Sequence, residues 1–156
     1  IDNLPMSGNN DYIFQGIIYV TGDMSQSGTS QFVASGTEPV RVVVNGTISL
    51  VGTSSSVSSQ SILFVSNAPS GDAITISGTA STGDTYGALF YSTSPTANVK
   101  INGTADFFGG IISNGTITTS GQPMIKRDDD LVTLTQYFHP LREDYLMNVV
   151  SWNELR

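Results

Sequence analysis

Apolar residues along this chain come in short blocks: Ile17-Ile18-Tyr19-Val20, Val40-Arg41-Val42-Val43-Val44, Ile62-Leu63-Phe64-Val65, Ala88-Leu89-Phe90-Tyr91 and Gly110-Ile111-Ile112. Blocks this short, rich in β-branched and aromatic side chains and bounded by turn residues, predict strands. Their first residues lie 23, 22, 26 and 22 positions apart. Each is followed, after a few turn residues, by a second block: Asp23-Met24-Ser25, Thr47-Ile48-Ser49-Leu50, Ala73-Ile74-Thr75-Ile76, Asn98-Val99-Lys100-Ile101 and Thr116-Ile117-Thr118.

The turns repeat with the strands. Thr21-Gly22-Asp23, Asn45-Gly46-Thr47, Ser77-Gly78-Thr79, Asn102-Gly103-Thr104 and Asn114-Gly115-Thr116 share a small polar residue, Gly, then Thr or Asp. A lone Asn-Gly pair predicts a two-residue hairpin. A meander of hairpins, however, gives no reason for a period near 23 residues. A parallel solenoid does, because each strand pairs with its equivalent one coil later. The expected fold is therefore all-β, a right-handed parallel β-helix of about five coils. In it Ile74 and Ile76 stack on Val99 and Ile101, and Phe64 stacks on Phe90 and Ile112. A β-sandwich is the alternative that the spacings permit.

Open coil ends invite edge pairing, so caps are expected. Residues 1–16 read as a polar lead-in, residues 17–125 as the repeat and residues 126–156 as a C-terminal cap. Composition supports that division. The chain holds 21 Ser, 17 Thr and 16 Gly, and only 12% of it is charged. This excludes a helical bundle, whose solvent face needs Lys, Glu and Arg. Of the 19 charged residues, ten lie between Lys126 and Arg156, and only three of the 38 Ser and Thr residues follow Ser120. In this tail Asp128, Asp129 and Asp130 are placed to cap a helix over Leu131–Phe138. Leu131, Leu134, Tyr137 and Phe138 share one face of it and would cover the last coil, Pro140 ends it, and Tyr145–Trp152 reads as a final strand.

The formal charge of −7 disfavours binding to nucleic acid. With no cysteine, disulfides, thiolate metal sites and cysteine nucleophiles are all excluded. No run of 18 apolar residues predicts a transmembrane helix.

The order of apolar block, Asn-Gly-Thr turn and second apolar block, ending in Val149-Val150-Ser151-Trp152-Asn153-Glu154-Leu155, resembles the β-solenoid domains of bacterial PilX-like pilus-assembly proteins. Trp152 and Glu154 match the Trp-x-Glu ending common in that family. The resemblance implies a pilus-associated or other surface protein, extracellular or periplasmic. Other pilin or surface-protein subunits would be its partners, with surface glycans as a further ligand. It also implies that any membrane contact runs through a hydrophobic helix upstream of this sequence.

Candidate chemistry is sparse. The single histidine, His139, precedes Pro140, and no Gly-x-Ser-x-Gly elbow accompanies it. Because many β-helices cleave polysaccharides with converging carboxylates, Asp23, Glu38, Asp72, Asp84 and Asp106 are candidates, with Arg41 and Lys100 as the bases of the coils. Turn-forming roles explain these acids more economically. Asp128-Asp129-Asp130 is a candidate calcium site, although it lacks the alternating ligands and glycine of a calcium loop. Asn45, Asn102 and Asn114 open glycosylation-type tripeptides that coincide with the turns. Tyr86, Tyr91 and Phe107 form a candidate glycan-stacking platform. No cofactor motif is present, the phosphate-binding loop included. The expected function is a non-catalytic structural or adhesive domain. A glycan-binding or glycan-cleaving β-helix and a self-assembling bactofilin-like scaffold are the alternatives.

Overall fold

A computed structural model describes residues 1–52, 55–56, 60–79, 81–82 and 87–127. Among these residues the chain forms sixteen β-strands and no helix. Every strand pairing is parallel. The strands stack as a three-faced β-solenoid.

The first face holds β1 (Leu4–Met6), β4 (Met24–Gln26), β7 (Ile48–Gly52), β10 (Gly71–Gly78), β13 (Ala97–Gly103) and β15 (Thr116–Gly121). The second holds β2 (Asp11–Phe14), β5 (Gln31–Ala34), β8 (Ser55–Ser56), β11 (Ser81–Thr82), the first half of β14 (Asp106–Ser113) and β16 (Met124–Arg127). The third holds β3 (Ile17–Val20), β6 (Val40–Val44), β9 (Ile62–Ser66), β12 (Ala88–Ser92) and the second half of β14. These make five complete coils and the first two strands of a sixth.

Alternation along each strand sends every second side chain inward. On the first face one inward column runs Leu4, Met24, Ile48, Ile74, Val99, Ile117, and beside it runs Met6, Gln26, Leu50, Ile76, Ile101. The expected stacking of Ile74 and Ile76 on Val99 and Ile101 is present residue for residue. Opposite them, Phe14, Phe32, Phe64 and Phe90 form a continuous ring stack with centroids 5.9, 5.5 and 5.0 Å apart. With no cysteine to cross-link the coils, this apolar axis and the backbone ladders hold the stack together.

The structure departs from the sequence expectation in three places. The polar segment 1–16 contributes β1 and β2, which pair with β4 and β5, so the repeat begins with Leu4. At its other end the repeat continues through β16 to Arg127. Second, Phe90 stacks on Ile111, and Ile112 lies beside Tyr91 on the outer side. The chain turns from second face to third inside β14 at Gly109, whose φ of 144° and close approach to the Ala88 carbonyl shift the phase by one residue.

Third, the five similar turns belong to two different corners. Gly78 and Gly103 lie where the first face meets the second, in a column that also includes Gly8, Gly28, Gly52 and Gly121, each with positive φ. Gly22, Gly46 and Gly115 lie where the third face returns to the first, and none of them has positive φ.

Candidate functional site

The outer surface of the first face is the most regular part of the molecule. Its central outward column is Ser25, Ser49, Thr75, Lys100 and Thr118, one residue per coil. Small hydroxyl side chains here leave the sheet flat, and the inward isoleucines on either side fix their orientation. Lys100 is the one cation of that column. Its Nζ lies 2.6 Å from Asp72 Oδ2 on the coil below, with both side chains well exposed, at 43% and 38%. Water screens such a pair, so Lys100→Thr, which copies Thr75 and Thr118, should change unfolding free energy by about 1 kcal/mol or less in urea titrations. A loss several times larger would mean that the ion pair holds coils four and five together.

The corner between third and first faces is laced by side-chain amides and carboxylates. The Asp23 amide donates to Asn3 Oδ1 at 2.8 Å, and the Thr47 amide donates to Asp23 Oδ1 at 2.6 Å. In the neighbouring column Asn67 Nδ2 donates to Asn45 Oδ1 at 3.4 Å, Thr93 Oγ1 donates to Asn67 Oδ1 at 3.1 Å, and Asn114 Nδ2 donates to the Thr93 carbonyl at 2.8 Å. At the opposite end of the first-face strands, Ser120 Oγ donates to Asn102 Oδ1 at 2.7 Å. Asn45, Asn102 and Asn114, the three glycosylation-type asparagines, are thus all bonded between coils. Asn67 and Asn3 belong to the same lacing but were not marked by the sequence, because neither is followed by Gly. Their common position just beyond or before an apolar block was the available signal.

Four of the candidate acids are among the described residues. Asp23 is at the third corner, Asp72 is on the first face beside Lys100, and Asp106 is on the second face with Lys126 Nζ 3.6 Å away. Glu38 is exposed in the segment before β6, and Arg41 is on β6 in the third face. A glycosidase needs two carboxyls flanking one bond, about 5–9.5 Å apart. Of the described acids, Asp23 and Asp72 lie at the same end of first-face strands two coils apart, whereas Asp106 is on the second face. Among the described residues no group of three or more His, Cys, Asp or Glu is placed to hold a metal ion.

Of the candidate glycan contacts, Tyr91 is half-buried on β12 in the third face, where its hydroxyl accepts from Asn114 Nδ2 at 3.4 Å. Phe107 is on the second-face half of β14, paired with Ile125. The two therefore belong to different faces. Tyr86, Asp84, the candidate calcium ligands Asp128, Asp129 and Asp130, His139, and the motif residues Trp152 and Glu154 lie outside the described residues. So do the expected helix Leu131–Phe138 and the final strand.

Compared with protein-family models, with curated proteins and with solved structures, the chain has no significant match.

Proposed function

We propose that this chain is a non-catalytic structural or adhesive β-solenoid domain, displayed on a bacterial surface and associated with pilus assembly. The observation that carries the structural part is the flat outward ladder of Ser25, Ser49, Thr75, Lys100 and Thr118, a repeating polar surface that spans five coils. Regularly spaced hydroxyls suit contact with a neighbouring subunit or a glycan. A further support is that Asp23, Asp72 and Asp106 each bond to an adjacent coil, a use that explains their presence without turnover. The pilus association rests on the resemblance of the repeat and of Trp152 and Glu154 to PilX-like proteins.

Two measurements test the reading. In the parent bacterium, this chain should co-purify with pili sheared from the cell surface; its absence from that fraction would remove the pilus assignment. The purified protein should show no turnover on a panel of bacterial and host polysaccharides. Reproducible cleavage lost in Asp106→Asn or Arg41→Gln would replace the reading with a glycan-cleaving one.

Self-assembly is a second reading favoured by a specific observation. The first coil exposes Ile13 and Ile17 at 67% each and Tyr19 at 50%. These side chains project outward from the flank of that terminal coil, where exposed apolar surface suits contact with another copy. Sedimentation velocity separates the two, since a scaffold grows with concentration and a displayed domain stays monomeric.

A further inference from the structure

Asn45, Asn102 and Asn114 open the same tripeptide, Asn-Gly-Thr, and differ in what holds the glycine that follows. An asparagine before glycine is open to one spontaneous reaction, because no glycine side chain shields the next backbone nitrogen from the asparagine amide. That nitrogen attacks the side-chain Cγ, its proton passes through solvent to Nδ2, and Nδ2 leaves as ammonia. Water then opens the five-membered imide at either carbonyl, giving aspartate or isoaspartate. The first step needs a glycine nitrogen that can turn toward its own asparagine, and the three sites differ in that freedom.

Gly46 is locked. Its amide donates to the Gly22 carbonyl on the coil below at 2.9 Å, so the nitrogen cannot turn without breaking a bond between coils. Gly103 is held inside a ladder. It pairs with Gly121 on β15, its carbonyl accepts the Gln122 amide at 2.9 Å, and the next amide, that of Thr104, donates to the Gly78 carbonyl at 3.0 Å. Coils on both sides therefore fix that peptide. Gly115 occupies the same corner as Gly46, but its amide donates to Ser113 Oγ, two residues back, at 3.2 Å. That bond ties no coils together, and a hydroxyl can follow the amide by rotating its own side chain. Asn114 is also exposed to the water that the second step consumes.

We propose that Asn114 is a site of spontaneous deamidation in the folded protein, and that the coil-to-coil bonds of Gly46 and Gly103 suppress the same reaction at Asn45 and Asn102. The product matters to the stack. Asn114 Nδ2 donates to the Thr93 carbonyl on the fourth coil at 2.8 Å. A carboxylate cannot donate to that carbonyl, and it sets a negative charge against its oxygen. Conversion therefore loosens the corner between the fourth and fifth coils, and with the ammonia lost the change does not reverse. The modification rests on this corner alone and does not depend on the functional reading above.

The full-length chain is its own control, since the three sites share one tripeptide. Folded protein kept in mildly alkaline buffer should convert Asn114 at least about fivefold faster than Asn45 or Asn102, the factor expected from opening one backbone hydrogen bond. Fragment mass spectrometry locates each amide-to-acid change, and enzymatic methylation of isoaspartate confirms the imide route. In urea above the unfolding transition the three rates should draw level. Asn114→Asp, which carries the charge of the product, should unfold at a lower urea concentration than the parent. Equal conversion of Asn114 and either other site in the folded protein would overturn the proposal. So would an Asn114 that stays intact while the unfolded chain converts fully, or a preference for Asn114 that survives in urea. An Asn114→Asp variant with the parent's urea midpoint would overturn the loosening of the corner.

Discussion

Phe64→Ala should be the most damaging side-chain truncation in the described part of the molecule, lowering unfolding free energy by about 3–5 kcal/mol. The ring is almost fully buried and touches rings on both sides, Phe32 at 5.5 Å and Phe90 at 5.0 Å. Its removal leaves a void in the middle of a stack that backbone ladders hold at fixed spacing above and below, so the neighbours have little freedom to collapse into it. In a solenoid each coil is stabilised mainly through its two interfaces, and this substitution weakens both. Phe14 supplies the internal control. It ends the ring stack with one aromatic neighbour, Phe32 at 5.9 Å, and is slightly more exposed. Phe14→Ala should therefore lose about half as much. Urea titration of both variants, followed by circular dichroism, checks the ratio. Equal losses would show that the aromatic column has no special position along the axis.

That column also shows how much the sequence carried. Phe64 above Val42 and below Phe90 was legible because three consecutive blocks share one phase, with Val40, Ile62 and Ala88 in register. The phase was lost at both ends of the repeat. Ile17 pairs with Arg41, so Ile18 and Val20 are the inward residues of β3, whereas an apolar run of four offers no alternation from which to choose. At Gly109-Gly110 two residues without side chains carry no phase at all, and Ile111 and Ile112 became interchangeable to the eye. The first two strands of the first coil were missed for a related reason: β1 and β2 are three and four residues long and are joined by Ser7, Gly8, Asn9 and Asn10, so their composition resembles a loop. The outward polar ladder was visible only as an excess of Ser and Thr, because a column exists once register is known. The burial of Leu63 and Leu89 was invisible, since nothing in a strand block tells that both of its sides are covered.

Gly78→Ala should cost on the order of 3–4 kcal/mol, although it adds a single methyl group, and the reason is the corner column. Gly78 has a φ of 90°, a left-handed conformation that strains an alanine by about 1–2 kcal/mol. A Cβ at this position would also stand 2.5 Å from the Gly52 carbonyl oxygen of the coil below. That oxygen accepts the Thr79 amide at 2.9 Å, so neither partner moves without stretching a bond that ties coil to coil. Gly71 separates the two causes. Its φ of 75° is equally left-handed, but no atom lies within 4 Å of its would-be Cβ. Gly71→Ala should show the conformational strain alone, about 1–2 kcal/mol. Losses of the same size at both positions would mean that backbone angle alone selects glycine at the corner. A larger loss at Gly78 would show that coil-to-coil contact also demands it. The tripeptide alone does not reveal which demand applies. In Asn102-Gly103-Thr104 a φ of 86° and a would-be Cβ 2.7 Å from the Gly78 carbonyl both demand glycine, whereas in Asn114-Gly115-Thr116 φ is not positive and only the clash with the Ala97 carbonyl does. One sequence pattern therefore answers two different physical requirements, and only the register of the coils tells them apart.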